Sequence, residues 1–156
     1  MPQEPGLVVV DASVVLKWQL DDEEYIPQAT ALRNDFYAQG AIKAIAPHLL
    51  IYEVINGVLT AARRKRLNSE KALEVIDNLI ELGVELKEVE PARVLELALE
   101  HNLAAYNAAY LALAESEGCE LWTGDSPFYQ AVKARLPRVK WIGDYVSLGD
   151  IRYEKR

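Results

Sequence analysis

The chain has 156 residues, of which 51% are hydrophobic and 26% charged, and this is the size and composition of one ordinary globular domain. No apolar run approaches the roughly 20 residues that cross a bilayer, and the first residues lack a signal-peptide pattern, so we expect a cytoplasmic protein. The single cysteine, Cys119, fits a reducing compartment, and the net charge of −7 argues against a protein that coats nucleic acid with a broad basic face.

The predicted elements alternate between short apolar strands and helices. We predict strands over 7–10, 42–46, 84–89, 121–123 and 140–142. We predict helices over about 24–37, 47–62, 69–82, 91–101, 106–117 and 127–136, with Pro47 in a first helical turn, Asn68 as a cap and Gly83 as an end. Short apolar strands that alternate with helices imply an α/β fold in which a parallel sheet is covered on both faces. We find no linker that would divide the chain, so residues 1–156 are expected to form one domain.

Two of the predicted strands end in an acid. Asp11 follows the first strand and Asp125 follows Leu121 to Gly124, and functional groups gather at the carboxyl ends of strands in parallel sheets. A third acid, Glu53, lies in an otherwise apolar helical segment, where an unpaired carboxylate is expensive to bury. Each acid alone could be a helix cap or part of a local ion pair, and capping is the strongest alternative for Asp125.

Taken together, the three acids point to a hard metal ion. Oxygen ligands without a paired His or Cys suit Mg²⁺ or Mn²⁺ rather than zinc. Carboxylates about 4 Å apart repel each other by roughly 4 kcal/mol at an effective dielectric of 20, so a cluster of them favours a cation. The spacing in the sequence does not by itself bring the acids together.

Four short segments follow one another along the chain: Val8 to Val15 around Asp11, Glu53 with Asn56 to Leu59, Ala105 to Ala114 around Asn107, and Thr123 to Asp125. In this order they resemble the motifs of PIN-domain ribonucleases, and in particular those of the VapC-like toxins of toxin–antitoxin pairs. Each motif is short, but their order and the helices between them match across nearly the whole chain. The resemblance implies a PIN-like, Rossmann-like parallel sheet with helices on both faces.

The resemblance also implies an activity and a set of roles. It implies that the chain is an endoribonuclease that hydrolyses RNA with Mg²⁺ or Mn²⁺ held by Asp11, Glu53 and Asp125. Ser13 and Thr123 stand where the family has hydroxyls that orient these acids, although both could instead bond local backbone. An antitoxin partner and a homodimer are further expectations, with exposed residues between Tyr25 and Tyr37 as possible antitoxin contacts.

Asn107 departs from the family pattern, which has Asp at this place. Its carbonyl oxygen can still face a hard cation, but the side chain brings no negative charge. It could instead cap the helix that follows. A naturally weakened site and an engineered substitution both account for this asparagine. The sequence shows no obvious acid that compensates, and Asp21, Asp22, Asp144 and Asp150 are candidates only because they are further acids of the chain.

Positive charge is concentrated in two runs. Arg63, Arg64, Lys65 and Arg66 suit the end of a helix, and we expect them also to contact the RNA backbone. The second run comprises Lys133, Arg135, Arg138 and Lys140.

Two alternatives to an active ribonuclease come from other classes of protein. One is a catalytically impaired PIN-fold binding module for RNA or an antitoxin, in which an inserted Arg could occupy the acidic site. The other is a phosphotransfer or receiver domain, which the sequence disfavours because it has no Asp-x-Asp at Asp11 and no glycine-rich phosphate loop.

Overall fold

The computed structural model describes residues 5–149, which form a single five-stranded parallel sheet with helices on both faces. The strands are β1 Gly6–Val10, β2 Ile42–Pro47, β3 Glu85–Lys87, β4 Glu120–Thr123 and β5 Val139–Trp141. The helices are α1 Ala12–Gln19, α2 Ile26–Arg33, α3 Leu49–Arg63, α4 Ser69–Leu82, α5 Pro91–His101, α6 Ala105–Glu117 and α7 Ser126–Val132. A π-helical segment, Asn34–Ala38, extends α2, and a 3₁₀ turn, Ile142–Asp144, follows β5. The predicted α/β architecture is therefore confirmed.

The order of strands in the sheet, β3-β2-β1-β4-β5, places β1 at the centre. The first half of the chain builds the sheet outwards on one side of β1, and the second half builds it outwards on the other side. The carboxyl ends of β1 and β4 therefore flank the point at which the direction of winding reverses. Ligands of open parallel sheets bind in the crevice at such a point, because the connecting loops there separate to opposite faces.

The core lies between the sheet and its helices. Val9 and Val10 of β1 are fully buried, as expected for a central strand that is covered on both faces. Helix α6 contacts β1, β2 and β4, and every residue from Ala108 to Ala114 is buried. A helix that is apolar on all sides belongs inside a protein, and the alanines of α6 let it approach the sheet closely.

The structure corrects four details of the predicted elements. Residues 12–19 form a helix that was not predicted, because its apolar residues are too continuous to show a helical period. Pro47 ends β2 instead of beginning α3. The predicted strand over 84–89 shrinks to three residues, and the predicted helix over 24–37 becomes π-helical at Asn34. The predicted ends of α4 are confirmed. Asn68 caps this helix by accepting from the amide of Lys71, and Gly83 ends it with a positive φ of 76°.

No helix among residues 5–149 is both long enough and apolar enough to cross a membrane.

Candidate active site

Asp11 lies directly after β1, and its carboxylate is enclosed by hydrogen-bond donors. Its side chain caps α1 by accepting from the amide of Val14, with Oδ1 3.3 Å from the nitrogen. The hydroxyl of Ser13 donates to the same oxygen at 2.5 Å. The side chain of Asp11 is buried, at 5% exposure. Asp11 is thus both a helix cap and a strand-end acid, and the two interpretations from the sequence do not exclude each other.

Asp125 occupies the equivalent place after β4. Its Oδ1 accepts from the amide of Phe128 at 3.1 Å, so that it caps α7, and its own amide donates to Oγ1 of Thr123 at 3.0 Å. The amide of Gly124 donates to the hydroxyl of Ser13 at 2.7 Å. Because Ser13 also donates to Asp11, one hydroxyl joins the ends of β1 and β4. The structure therefore brings Asp11, Ser13, Thr123 and Asp125 into one place.

The carboxyl of Asp11 has a pKa raised from 3.8 to about 6. Burial is the main cause, since desolvation disfavours the charged form, and the negative charge of Asp125 adds to the rise. Hydrogen bonds from Ser13, Thr123 and the Val14 amide act in the opposite direction and lower the pKa. These donors only partly offset the cost of burying this carboxylate.

Glu53 reaches the same acids from the second turn of α3. It is half-buried, and burial raises the pKa of its carboxyl. The charge of Asp125 raises that pKa further, while the hydroxyl of Tyr110 lowers it. The Tyr110 hydroxyl lies near the Glu53 carboxyl, but Glu53 Oε1 and the hydroxyl are both buried without a partner of good hydrogen-bond geometry among residues 5–149. Glu53 therefore carries a buried oxygen that the described residues leave unsatisfied.

Asn107 lies in the first turn of α6, which begins at Ala105. The interpretation of Asn107 as the helix N-cap is wrong, because Ala104 is the cap residue and no side chain caps this helix. Asn107 is three residues before Tyr110, so that the two share one face of α6, and Tyr110 faces Glu53. This placement directs the Asn107 amide to the same side of α6 as the acids.

The residues fit a hard cation by their chemistry, although the three carboxylates are not a preassembled ligand set. Within residues 5–149, no three His, Cys, Asp or Glu side chains are close enough together to hold a metal ion. However, Asp125 raises the pKa of both Asp11 and Glu53, and no Lys, Arg or His of the described range pairs with any of the three. A cation among them would relieve this repulsion and give the buried Glu53 Oε1 a partner.

The basic run at the end of α3 does not lie at the acidic crevice. Ten residues of helix separate Glu53 from Arg63, a rise of about 15 Å. Arg66 is occupied, because its guanidinium donates to both oxygens of Asp22 at 2.6 and 2.7 Å and also contacts Glu23. Arg63, Arg64 and Lys65 are exposed at the same end of the helix. The basic run thus caps α3 and forms a surface ion pair.

The candidate compensating acids do not replace the missing carboxylate. Asp22 is bound to Arg66, which lowers its pKa, and Asp21 is exposed in the same loop. Asp144 is exposed beside β5, in a cleft that it shares with Lys140 and Trp122. Asp150 lies outside the described residues.

Two residues of the crevice were not identified as functional from the sequence. Tyr110 lies within the motif around Asn107, and the motif alone did not mark it as functional. A hydroxyl three residues after Asn107, in a mostly apolar helical segment, is nevertheless a signal that the sequence contains. Gly124 contacts Ser13 through its amide, and an added Cβ would meet Cε of Lys17 at 2.6 Å. The space at position 124 is limited by a side chain of α1, more than a hundred residues earlier in the chain. No pattern in the sequence around Gly124 indicates this contact.

Comparison with known protein families gives a match over most of the chain. The profile of the PIN domain family matches residues 8–134. The chain is 34% identical to Ribonuclease VapC3 of Pyrobaculum aerophilum over 76% of its own length and 88% of that protein. It is 31% identical to Ribonuclease VapC9 of Mycobacterium tuberculosis over 84% of its length and 95% of that protein. It is also 29% identical to a protein named Exonuclease VapC9 of P. aerophilum, over 72% of this chain and 89% of that one.

Solved structures share the fold. The crystal structure of PAE2754 from P. aerophilum superposes with a TM-score of 0.64 at 24% identity and covers 97% of this chain and 99% of that one. M. tuberculosis VapC20, described as a sarcin-ricin loop cleaving toxin, superposes with a TM-score of 0.59 at 16% identity over 80% of this chain and 95% of its own.

Proposed function

Because the chain belongs to the PIN-domain family, we propose that it is a metal-dependent endoribonuclease and the toxin component of a toxin–antitoxin pair. The observation that carries the proposal is the pair of strand-end carboxylates, Asp11 and Asp125, joined through Ser13 at the point where the winding of the sheet reverses. Carboxylates without a cationic partner lower the stability of the fold at this place. Their presence is explained if they have a function. Relatives named as ribonucleases support the reaction class.

In the proposed site, Asp11, Glu53 and Asp125 hold Mg²⁺ or Mn²⁺, and the carbonyl oxygen of Asn107 faces it. The bound ion would stabilise charge on the scissile phosphate and lower the pKa of an attacking water. Ser13 fixes the orientation of the Asp11 carboxylate by donating to Oδ1 while accepting from Gly124. Thr123 accepts from the backbone amide of Asp125, and its hydroxyl also lies close enough to Asp11 to lower the pKa of that carboxyl.

Glu53 is suited to take the proton of the attacking water. Burial and the charge of Asp125 raise the pKa of its carboxyl by more than the Tyr110 hydroxyl lowers it. A carboxylate whose pKa is shifted towards neutrality is a better general base at pH 7 than an exposed one. In this proposal, Ser13 positions Asp11, and Asp11 and Asp125 bind the ion. Glu53 offers one carboxylate oxygen to the ion and the other to the proton of the attacking water.

The proposed partners are an antitoxin and a second copy of the chain, in the cytoplasm. Tyr25 and Tyr37 are 39% and 61% exposed, at opposite ends of α2 and its π-helical extension, and both are available to an antitoxin. Leu95 and Tyr106 are exposed on α5 and α6 and line an apolar groove of about 560 Å³ that suits a homodimer interface. Light scattering should then give twice the chain mass for the protein and one chain mass for Leu95→Glu.

A second candidate is the catalytically impaired PIN-fold binding module for RNA or an antitoxin. Two observations favour it: Asn107 stands where the family has a carboxylate, and no three acids of residues 5–149 are grouped closely enough to hold an ion.

One experiment separates the two candidates. The protein, Asn107→Asp and Asp11→Asn are incubated with linear and circular RNA, in Mg²⁺, in Mn²⁺ and in chelator. Asp77→Asn, an exposed acid on α4, serves as the matched control. We expect metal-dependent cleavage that rises at least tenfold in Asn107→Asp, because a fourth carboxylate strengthens the ion site, and that is lost in Asp11→Asn.

Each outcome assigns a different role. Cleavage of circular RNA establishes an endonuclease, whereas cleavage of linear RNA alone establishes an exonuclease like the relative of that name. If the protein is silent and Asn107→Asp cuts, the site is correct and the asparagine has switched it off. If all variants are silent and RNA or an antitoxin still binds, the binding module is the function.

A further inference from the structure

Helix α1 carries one charged residue, Lys17, in a segment that is mostly apolar. Its neighbours Val14, Val15 and Trp18 are buried, and Lys17 itself is only 8% exposed. Lysine is among the residues that are least often buried, because its ammonium loses hydration and its long side chain loses rotamer freedom. A buried lysine at this position therefore needs an explanation.

The side chain of Lys17 extends towards the acidic crevice. Ser13 and Lys17 are four residues apart and so share one face of α1, and long helical side chains lean towards the helix N-terminus, where Asp11 lies. Gly124 is the contact point. A Cβ at this position would lie 2.6 Å from Cε of Lys17 and 3.4 Å from Oγ of Ser13. The lysine stem thus lies against the turn that connects β4 to Asp125.

The ammonium of Lys17 has no anionic partner in the described part of the chain. No ion pair joins it to a carboxylate there, although Asp125 directly follows the turn that it contacts and Asp11 is connected to that turn through Ser13. The ring of Tyr25 is a weak partner, because its centroid is 6.0 Å from Nζ, the outer limit of a cation–π contact. The stem of Lys17 is buried, but Nζ is not among the fully buried polar atoms without a partner in residues 5–149, so an anion from outside can reach it.

We infer that Lys17 binds a backbone phosphate of the RNA strand as the strand lies across the acidic crevice. The inference rests on the proposed function, since it assigns the group that attracts a polyanion to a site lined with carboxylates. The carboxylates repel RNA, and the basic run on α3 lies at the wrong end of its helix to offset that repulsion. Lys17 is the positive charge of the described chain that contacts the turn between the acids, and Gly124 provides the space for it.

The test measures RNA binding as a function of salt. A labelled single-stranded RNA of mixed sequence is titrated with protein in the Asp11→Asn background at fixed Mg²⁺, so that binding is observed without cleavage. In that background we compare Lys17→Met, which keeps the apolar stem, with Lys43→Met, an exposed lysine near the start of β2. Gly124→Ala tests the same contact by a second route, because it keeps the lysine and puts a methyl group where Cε lies.

We expect Lys17→Met to weaken binding about tenfold and to reduce the slope of log affinity against log salt by about 0.7, the value of one phosphate contact to a single strand. Gly124→Ala should shift both quantities in the same direction, and Lys43→Met should leave them unchanged. Equal slopes for Lys17→Met and its background, with RNA still bound, would overturn the role of Lys17 and leave the ribonuclease proposal intact. Failure of every variant to bind RNA would overturn both.

Discussion

The protein buries a carboxylate in each of two regions, and the two differ in the charge that surrounds them. Asp35, in the π-helical segment, is 3% exposed and accepts three hydrogen bonds: from the Tyr145 hydroxyl at 2.6 Å, the Leu148 amide at 3.0 Å and the Ser147 hydroxyl at 3.1 Å. Asp11 is buried to a similar extent and also accepts hydrogen bonds, from Ser13 and the Val14 amide, but the negative charge of Asp125 raises its pKa, and Glu53, which Asp125 also affects, has an oxygen without a partner.

The difference shows which of the two regions serves the fold. A buried charge that is surrounded by donors holds chain segments together, and Asp35 ties residues 145–148 to the segment after α2. A buried charge that faces another charge costs free energy unless something outside the chain neutralises it. Four changes test this difference between Asp35 and the acidic crevice, in order of decreasing expected effect.

Asp35→Ala should destabilise the protein by about 3–5 kcal/mol, because it leaves one buried donor and two partly buried donors without an acceptor. Chemical denaturation monitored by circular dichroism measures the loss. Tyr145→Phe, which removes one of the three donors, should cost only about 1–2 kcal/mol. A loss below 1 kcal/mol for Asp35→Ala would show that this region is not the anchor proposed here.

Asp11→Asn should instead stabilise the metal-free protein, by up to about 3 kcal/mol at pH 7.5. The pKa of Asp11 is raised from 3.8 to about 6 in the fold, so its contribution to stability is complete below pH 4 and is lost as the pH rises through 6. The amide keeps an oxygen for Ser13 and Val14 and carries no charge. The gain should therefore be about half as large at pH 5.

Denaturation of both proteins in chelator at pH 5 and pH 7.5 checks this expectation, with Asp77→Asn as the exposed control. Destabilisation by Asp11→Asn at pH 7.5 would show that the donors around Asp11 satisfy its charge, as they do for Asp35.

Mg²⁺ or Mn²⁺ should stabilise the unsubstituted protein, by about 2.7 kcal/mol when the free ion exceeds its dissociation constant a hundredfold. The ion binds the folded acids and relieves their repulsion, so that Asp11→Asn and Asp125→Asn should reduce the gain. Thermal melts with increasing metal measure it. An identical gain in Asp11→Asn and the parent would place the ion elsewhere.

Arg66→Ala should have the smallest effect, below about 1 kcal/mol, because its ion pair with Asp22 is exposed. We also expect RNA binding in Asp11→Asn to be insensitive to this change. A tenfold loss of RNA affinity in Arg66→Ala would instead restore the basic run as an RNA contact.

The parts of the fold that follow from local chemistry were predicted from the sequence. Pro91 opens α5, Asn68 caps α4, and the glycines at 83 and 118 end helices with positive φ, each through a preference of that residue type. The helix over 12–19 was missed because its apolar residues follow one another too closely to show an amphipathic period. Asn107 was wrongly considered a cap because the sequence does not show that α6 begins two residues earlier.

For the candidate site, the sequence alone determined which acids follow strands and the order of the motifs that resemble the PIN family. Only the tertiary structure decided which groups meet: Ser13 with Gly124, Tyr110 with Glu53, Lys17 with the turn before Asp125, and Arg66 with Asp22. The physical reason is the distance along the chain over which each effect acts. Capping and periodicity depend on residues a few positions apart. Contacts between elements depend on the order of strands in the sheet, and the same local pattern is compatible with more than one strand order.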